Sequence, residues 1–329
     1  MKVFYINVLM VVLLIAVMAV SLFGGRVWLS FADLMGALHG TSEFSALLLS
    51  ELRAPRVLLG CVIGAGLGGS GAVLQGFFRN PLADPGVVGL SASAGFGAVV
   101  ALYFGLSAVF SFAVPIAAII GAALGVVALL TLAGLRASAT TLILAGVAIG
   151  AVATAMTALL MNLAPNPWAL AEIAYWLMGS LNDASWNEVR FATPLILTGL
   201  GLLAFTVRGL DALSLGEEAA RSLGVSMGRL RLLVISGTAL AVGGGVAVAG
   251  AIGFVGLVVP HVLRPFVGHH PGALVLPSAL GGAILLTLAD LLTRLLSGPG
   301  IPLYLGVLTA LLGAPFFLWL VRSTQRRAP

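Results

Sequence analysis

Charge is scarce in this chain: Asp, Glu, Lys and Arg make up 8% of its 329 residues. The only lysine is Lys2 and the only cysteine is Cys61. Without an internal lysine there is no Walker-type nucleotide site, because GxxxxGK[ST] uses that lysine to reach the terminal phosphates. A single cysteine excludes an intrachain disulfide and a cysteine-based metal framework; within an apolar run it reads as a small packing residue. The four histidines, His39, His261, His269 and His270, do not compensate. The last two are adjacent rather than one helical turn apart, so no metal ligand set is expected. No Ser/His/Asp arrangement can be argued from the spacing, so no catalytic residue is expected. Acids are also missing from the middle of the apolar runs, where an ion-coupled carrier holds its coupling ion. That lowers the secondary-carrier reading and favours energy supplied by another chain.

What is present is overwhelmingly apolar. Hydrophobic residues reach 60%, against roughly 45–50% in soluble proteins, and the mean hydropathy is +1.16. The chain reads as an integral membrane protein, and its net charge of +5 reads as basic loops on one membrane face rather than as a nucleic-acid surface. Apolar runs at 5–23, 57–78, 87–106, 108–134, 140–163, 191–207, 230–251, 252–267, 273–293 and 302–321 predict about ten transmembrane helices in one all-α domain, 1–329. Gly253, Gly256 and Pro260 interrupt the pair at 230–267, where the boundaries stay open. The run after Lys2 reads as a retained first span rather than a signal peptide, since no A-x-A site follows it. With the amino terminus inside, eleven Lys and Arg residues fall on the inner face and five on the outer one. That bias places both termini in the cytoplasm.

Seven charges fall between Arg208 and Arg231. A short polar helix there, ending at Gly224, must face water or a soluble partner because lipid cannot solvate it. The second span carries Gly60, Gly64, Gly68, Ala72 and Gly76 at four-residue spacing, a stripe that lets a neighbouring helix approach closely. Helix packing is favoured over pore lining for this stripe, and Gln75 near its inner end is placed to bond a neighbouring helix. Pro81 and Pro85 make the loop Arg79–Gly86 a rigid inner turn, and Arg136–Thr141 forms the other short inner connection. Trp168, Tyr175, Trp176 and Trp186 read as interfacial anchors in preference to a substrate-stacking role. The segment GAIGFVGLVVPHVLR, 250–264, allows a bend near the centre of a transporter. Asp290 and Arg294, at i,i+4, are expected to pair. Arg53, Arg56 and Arg294 at the outer ends of spans read first as snorkelling residues and second as a cationic rim.

Several of these stretches carry a resemblance. Arg53-Ala-Pro-Arg56, SGAVLQGFFRNPLADPGVVGLSASAG from Ser70 to Gly95, LDALSLGEEAARSLGV from Leu210 to Val225, GFVGLVVPHVLR from Gly253 to Arg264 and LGAPFF from Leu312 to Phe317 occur in this order. Over nearly its whole length the chain is similar to the permease subunits of type II ABC importers for iron chelates, haem and cobalamin, the FecCD family. The resemblance implies a ten-helix permease in the bacterial inner membrane, surrounded by lipid and paired with a second copy of itself. It also implies two separate ATPase subunits that bind ATP and Mg, and a periplasmic substrate-binding protein; no cofactor in this chain and no nucleic acid are implied. The segment at about 208–229 would be the coupling element, with Leu215, Gly216, Glu217, Glu218, Ala219, Arg221 and Ser222 facing the ATPase. Arg53, Arg56 and Arg294 match positions that meet acidic residues of the binding protein. Asn80 and Leu82, with Ala139 and Thr140, match the cytoplasmic gate, although the family pattern is less strict at 139–140. A ferric siderophore is the favoured cargo, with haem and cobalamin as alternatives. A secondary carrier and a receptor-like membrane protein remain the readings of other classes.

Overall fold

The computed structural model describes residues 2–25, 27–39, 41–134, 137–298, 300 and 302–325. Arg26, Arg136, Arg326 and Arg327, which enter the charge-bias argument, lie outside these residues. The amino-terminal run forms α1, Lys2–Phe23. Two short amphipathic helices follow on the outer side: α2, Phe31–Leu38, closed by a Ser30–Asp33 capping box, and α3, Glu43–Leu47. A wide turn, Leu48–Arg53, then feeds without a break into α4, Ala54–Phe77; Pro55 has no N–H to donate there, and the Ser50 carbonyl accepts from the Trp186 indole at 2.8 Å. Next come α5, Leu90–Tyr103, α6, Ala113–Ala133, and α7, Ala139–Asn162. After α7 the chain turns through α8, Pro167–Leu177, which starts on the Asn166 cap and is too short to span.

Helix α9, Trp186–Ala204, and α10, Val207–Leu213, form one apolar path bent by 43°. The polar segment supplies α11, Glu217–Ser222, before α12, Met227–Ala249. The remaining helices are α13, Val255–Leu263, α14, Pro271–Leu296, and α15, Leu305–Gln325. Among the described residues, six helices are long and apolar enough to cross a membrane; the bent α9–α10 pair makes a seventh, and α5, α13 and α15 are shorter apolar helices. The expected count of about ten therefore mixes full spans with partial ones.

Helix α4 is the centre of the molecule. Its apolar window is 83% buried within the chain, against 11% for α1 and 17% for α7. The small-residue stripe explains how α4 gets there. Gly60, Gly64 and Gly68 lie against Thr287, Gly282 and Ser278 of α14, and Gly76 lies against Pro271. A Cβ on Gly68 would sit 2.1 Å from the Ser278 carbonyl oxygen, so only glycine permits this separation of backbones. The packing reading of the stripe holds along the whole length of α14. On another side, Gly71 meets Gly256 of α13 with a would-be Cβ contact of 2.0 Å.

The α12–α13 connection is a break between two apolar helices. The residues from Val255 to Val267 give about 20 Å of helix, less than the roughly 30 Å hydrocarbon core. Gly250 and Phe254 both adopt left-handed backbone, φ 69° and 68°. A bulky residue in that region is strained; the Phe254 ring is seated against the bare backbone of Gly313 in α15. Pro260 removes the donor that would serve the Gly256 carbonyl, and the buried Gln75 amide replaces it, donating to Gly256 at 3.2 Å and to Leu257 at 3.3 Å. Arg264 in turn donates to the Gln75 carbonyl oxygen. Gln75 thus holds the broken helix against α4.

Candidate functional site

Three groups of residues at different depths make up the site. At the inner end, Gly216 (φ 108°) and Gly224 (φ 85°) bracket α11, the glycine-ended polar helix expected from the sequence. Buried Leu210, Leu213 and Ala220 hold α10 and α11 to the core, and Glu217 accepts from Arg221 at 2.7 Å on the exposed face. Leu215 and Leu223 project into solvent beside that ion pair, and Glu218 and Ser222 are exposed with them, while Gly216 and Ala219 are half-buried. An exposed surface mixing leucine with charge, on a rigid helix, is suited to docking a soluble partner.

Two side chains tie this surface to the rest of the chain, and the sequence alone gave neither a role. Asp211 accepts from the Gly272 N–H at 2.8 Å in the first turn of α14. Arg231, near the start of α12 and 3% exposed, donates to the Ala137 carbonyl. Both are ordinary census charges in the sequence because their partners are backbone groups, which leave no signature there.

Ala137 leads directly into the second expected gate segment. Ser138 caps α7 by accepting from Thr141 N–H at 3.1 Å, which puts Ala139 and Thr140 in the first helical turn. Asn80 and Leu82, the other residues expected at the gate, lie in a locked loop. Asn80 Oδ1 accepts from Leu82 N–H at 2.9 Å, and Asp84 Oδ1 from Gly86 N–H at 2.9 Å. The turn Pro85–Val88 then packs on α7, where a Cβ on Gly146 would lie 2.8 Å from Val88. The two gate segments therefore share α7 as a common support.

At the outer end the three arginines converge. Asp290 receives Arg56 through Nε at 2.9 Å and Nη2 at 2.8 Å, and Arg294 through Nε at 3.2 Å. The expected i,i+4 pair is thus one arm of a three-residue ion cluster. Arg294 also donates to the Ser21 and Gly24 carbonyls at 3.0 and 3.1 Å and to the Ser21 hydroxyl. Arg53 is buried and donates to the carbonyls of Leu22, at 2.7 Å, Phe23, at 2.9 Å, and Val27. The first two belong to the last turn of α1, whose carbonyls lack intrahelical donors, and the third to the segment just after it. None of the three has the free, fluctuating head group of a snorkelling residue. They line a cavity of about 420 Å³ that also reaches Asn182.

A second outer cavity, of about 730 Å³, lies on the other side of Asn182 and descends to Ala249 at the α12–α13 break. Its walls carry Trp168, Tyr175, Trp176 and Tyr304, with Glu172 and Asp183 as its charged groups. The Tyr175 and Tyr304 rings stack with centroids 5.8 Å apart and planes 6° from parallel. Burial first, then Tyr175 and Asp183, push the Tyr304 hydroxyl above the usual phenol range. Trp186, expected as an interfacial anchor, donates from its indole to the Ser50 carbonyl at 2.8 Å and packs against the core. Below the aromatic cavity a third recess, lined by Met178, Ala251, Gly306, Ala310 and Pro315 among others, is almost wholly apolar.

The chain is similar to known proteins over nearly its whole length. The chain is 40% identical to the cobalamin import system permease of Halobacterium salinarum, over 93% of this chain and 82% of that one. It is 37% identical to the Fe(3+)-citrate import system permease of Bacillus subtilis, over 97% and 95% of the two chains. A solved structure of a metal-chelate type ABC transporter, in an inward-facing conformation, superposes with a TM-score of 0.87 at 32% identity, covering 97% of this chain and 99% of that one. The sequence pattern of the FecCD transport family matches residues 13–323, and the chain belongs to that family.

Proposed function

We infer that this chain, a multi-pass membrane permease of an ABC importer for iron chelates, haem or cobalamin, is a transport component rather than a catalyst. Such a permease implies ATPase and substrate-binding partners. We propose that two copies of this chain enclose the route across a bacterial inner membrane, with both termini in the cytoplasm, and that the cargo is a ferric siderophore. Two separate ATPases, which bind ATP and Mg, would grip the segment 208–229. The observation that carries the reading is the coupling surface: an exposed Leu/Glu/Arg helix wired through Asp211 to α14 and through Arg231 to the gate segment at Ala139 and Thr140. Asn80 and Leu82 form the other gate element in this reading. At the outer end Arg56 and Arg294 present the edge that a carboxylate of the delivery protein meets, and Arg53 steadies them from behind by holding α1. Haem and cobalamin are the alternative cargoes.

The test is reconstitution of the permease with its ATPase and binding protein in vesicles. Uptake is expected only with ATP, and reversing Glu217 and Glu218 to Lys is expected to weaken ATPase association while leaving membrane insertion intact. Uptake that continues without the ATPase and collapses with a proton ionophore would replace this reading with a secondary carrier.

A further inference from the structure

The two outer cavities have opposite electrical character although they share Asn182. The cavity at the arginine cluster is lined by three arginines, with the one carboxylate of the cluster, Asp290, buried behind them. The larger one carries Glu172 and Asp183, both exposed, and neither pairs with a cation among the described residues. Its remaining polar groups are neutral, and its aromatic surface is unusually available: Trp168 is 85% exposed and Tyr175 54%. Interfacial anchoring accounts for Trp168 alone. It does not account for Tyr304, which comes from the far end of the chain to stack on Tyr175. A stacked pair of rings beside unpaired carboxylates attracts cations and flat conjugated surfaces and repels anions. The volume of about 730 Å³ falls within the range that holds compact ligands, roughly 300–1,000 Å³.

We propose that this vestibule is a cargo-selecting site, built from Trp168, Tyr175, Tyr304, Glu172 and Asp183, for metal chelates that are neutral or cationic and present a flat or apolar face. The inference rests on the importer reading above and narrows its cargo. It favours a ferric trihydroxamate or a corrinoid over a polyanionic complex such as ferric citrate. The arginine cavity then meets the delivery protein while the acidic vestibule beside it receives what that protein releases. At physiological salt, two carboxylates about 8 Å from a trivalent anion disfavour it by roughly tenfold relative to a neutral molecule.

Equilibrium dialysis of radio-iron probes against the permease–ATPase complex in lipid nanodiscs, without the binding protein, tests this directly. A cationic ferric trihydroxamate is expected to bind at least about tenfold more tightly than ferric citrate. The isosteric double variant Glu172→Gln/Asp183→Asn should shrink that ratio to about threefold or less by weakening the repulsion of citrate. Tyr175→Leu/Tyr304→Leu should weaken the trihydroxamate by about tenfold through loss of the ring faces. Continued protection of the buried Cys61 thiol shows that each variant is folded. Absence of saturable binding, equal affinities, a preference for citrate, or a ratio unchanged in the carboxylate variant would each overturn the proposal. ATP-driven uptake with the cognate binding protein is scored separately. Selectivity without ATP-driven uptake would refute the importer reading alone, and ATP-driven uptake with equal probe affinities would refute the vestibule alone.

Discussion

Asp290 offers the sharpest test of the outer ion cluster. Its carboxylate is 2% exposed and serves two arginines whose side chains are 14% and 11% exposed. Replacing it with Ala strands both guanidiniums. Arg294 keeps its acceptors at Ser21 and Gly24, but Arg56 has no other hydrogen bond among the described residues. Removing one partner of a buried ion pair costs about 3–5 kcal/mol, and the residual solvent at the cluster brings the expectation for Asp290→Ala to about 3 kcal/mol, or roughly 150-fold in the opening equilibrium. The protein carries its own reporter: Cys61 is the only cysteine, is buried, and contacts Thr287 one turn below Asp290 at 3.3 Å. Under conditions where opening limits access, a thiol-reactive dye should label Asp290→Ala on the order of 100-fold faster than the parent. Asp290→Asn, which keeps an acceptor, should fall between them. Arg56→Met/Asp290→Leu removes one pair but leaves Arg294 only its Ser21 and Gly24 acceptors; it should label faster than the parent but more slowly than Asp290→Ala. Labelling of Asp290→Ala within threefold of the parent would refute the claim that this cluster fastens α1, α4 and α14 together.

Three further outcomes follow from named contacts. Gly68→Ala should cost about 2 kcal/mol or more in denaturant unfolding, because the new Cβ meets the Ser278 carbonyl oxygen at 2.1 Å. Gly95→Ala, whose Cβ meets nothing within 4 Å, should be close to neutral; equal effects would discredit the close-approach account. Gln75→Leu leaves the Gly256 carbonyl without its substitute donor, a loss of about 1–3 kcal/mol. That loss should appear as faster amide exchange confined to α13, and unchanged exchange there would count against the proline-replacement role. Arg231→Met should leave ATPase docking and hydrolysis intact while lowering cargo transported per ATP by about tenfold, on the order of 1.4 kcal/mol of coupling; an unaltered transport ratio would remove Arg231 from the transmission path.

The membrane spans were legible because apolar runs of this length have few alternatives. The glycine stripe was legible because four-residue spacing maps onto one helical face. The turn signals at Gly216 and Gly224 were legible for the same local reason. Helix α8 was harder to read: eleven residues with mixed aromatic and polar character carry no spanning signal, so only their aromatic content stood out. The arginine cluster was half visible. Asp290 and Arg294 are four residues apart, whereas Arg56 reaches Asp290 across 234 positions. Arg53, Asp211 and Arg231 bond to backbone groups, which every residue possesses. Tyr304 lies at the edge of the last apolar run, and its meaning depends on Tyr175 being brought opposite it. Local periodicity can be read from a sequence; partners chosen by tertiary packing cannot.

Helix α14 joins these observations into one mechanical argument. It spans 26 residues, about 39 Å, with Asp211 bonded at its first turn and the Asp290 cluster at its last. Between those ends its contact with α4 is made largely by glycines, where backbone touches backbone and no long side chain can change rotamer to absorb a displacement. Such a pair moves as one body or separates at considerable cost. On the proposed function, a shift of the coupling segment is therefore delivered through α14 to the outer end as translation or tilt of the α4–α14 pair. The Arg231–Ala137 contact delivers the same shift to the foot of α7. The element able to take up such a shift in this scheme is the unwound stretch at Gly250–Phe254, whose Ala251 lines the apolar recess and which follows directly on Ala249 of the aromatic vestibule. Rigid transmission ending beside a strained break puts the conformational change where cargo passes, and requires no titratable group in the membrane to drive it.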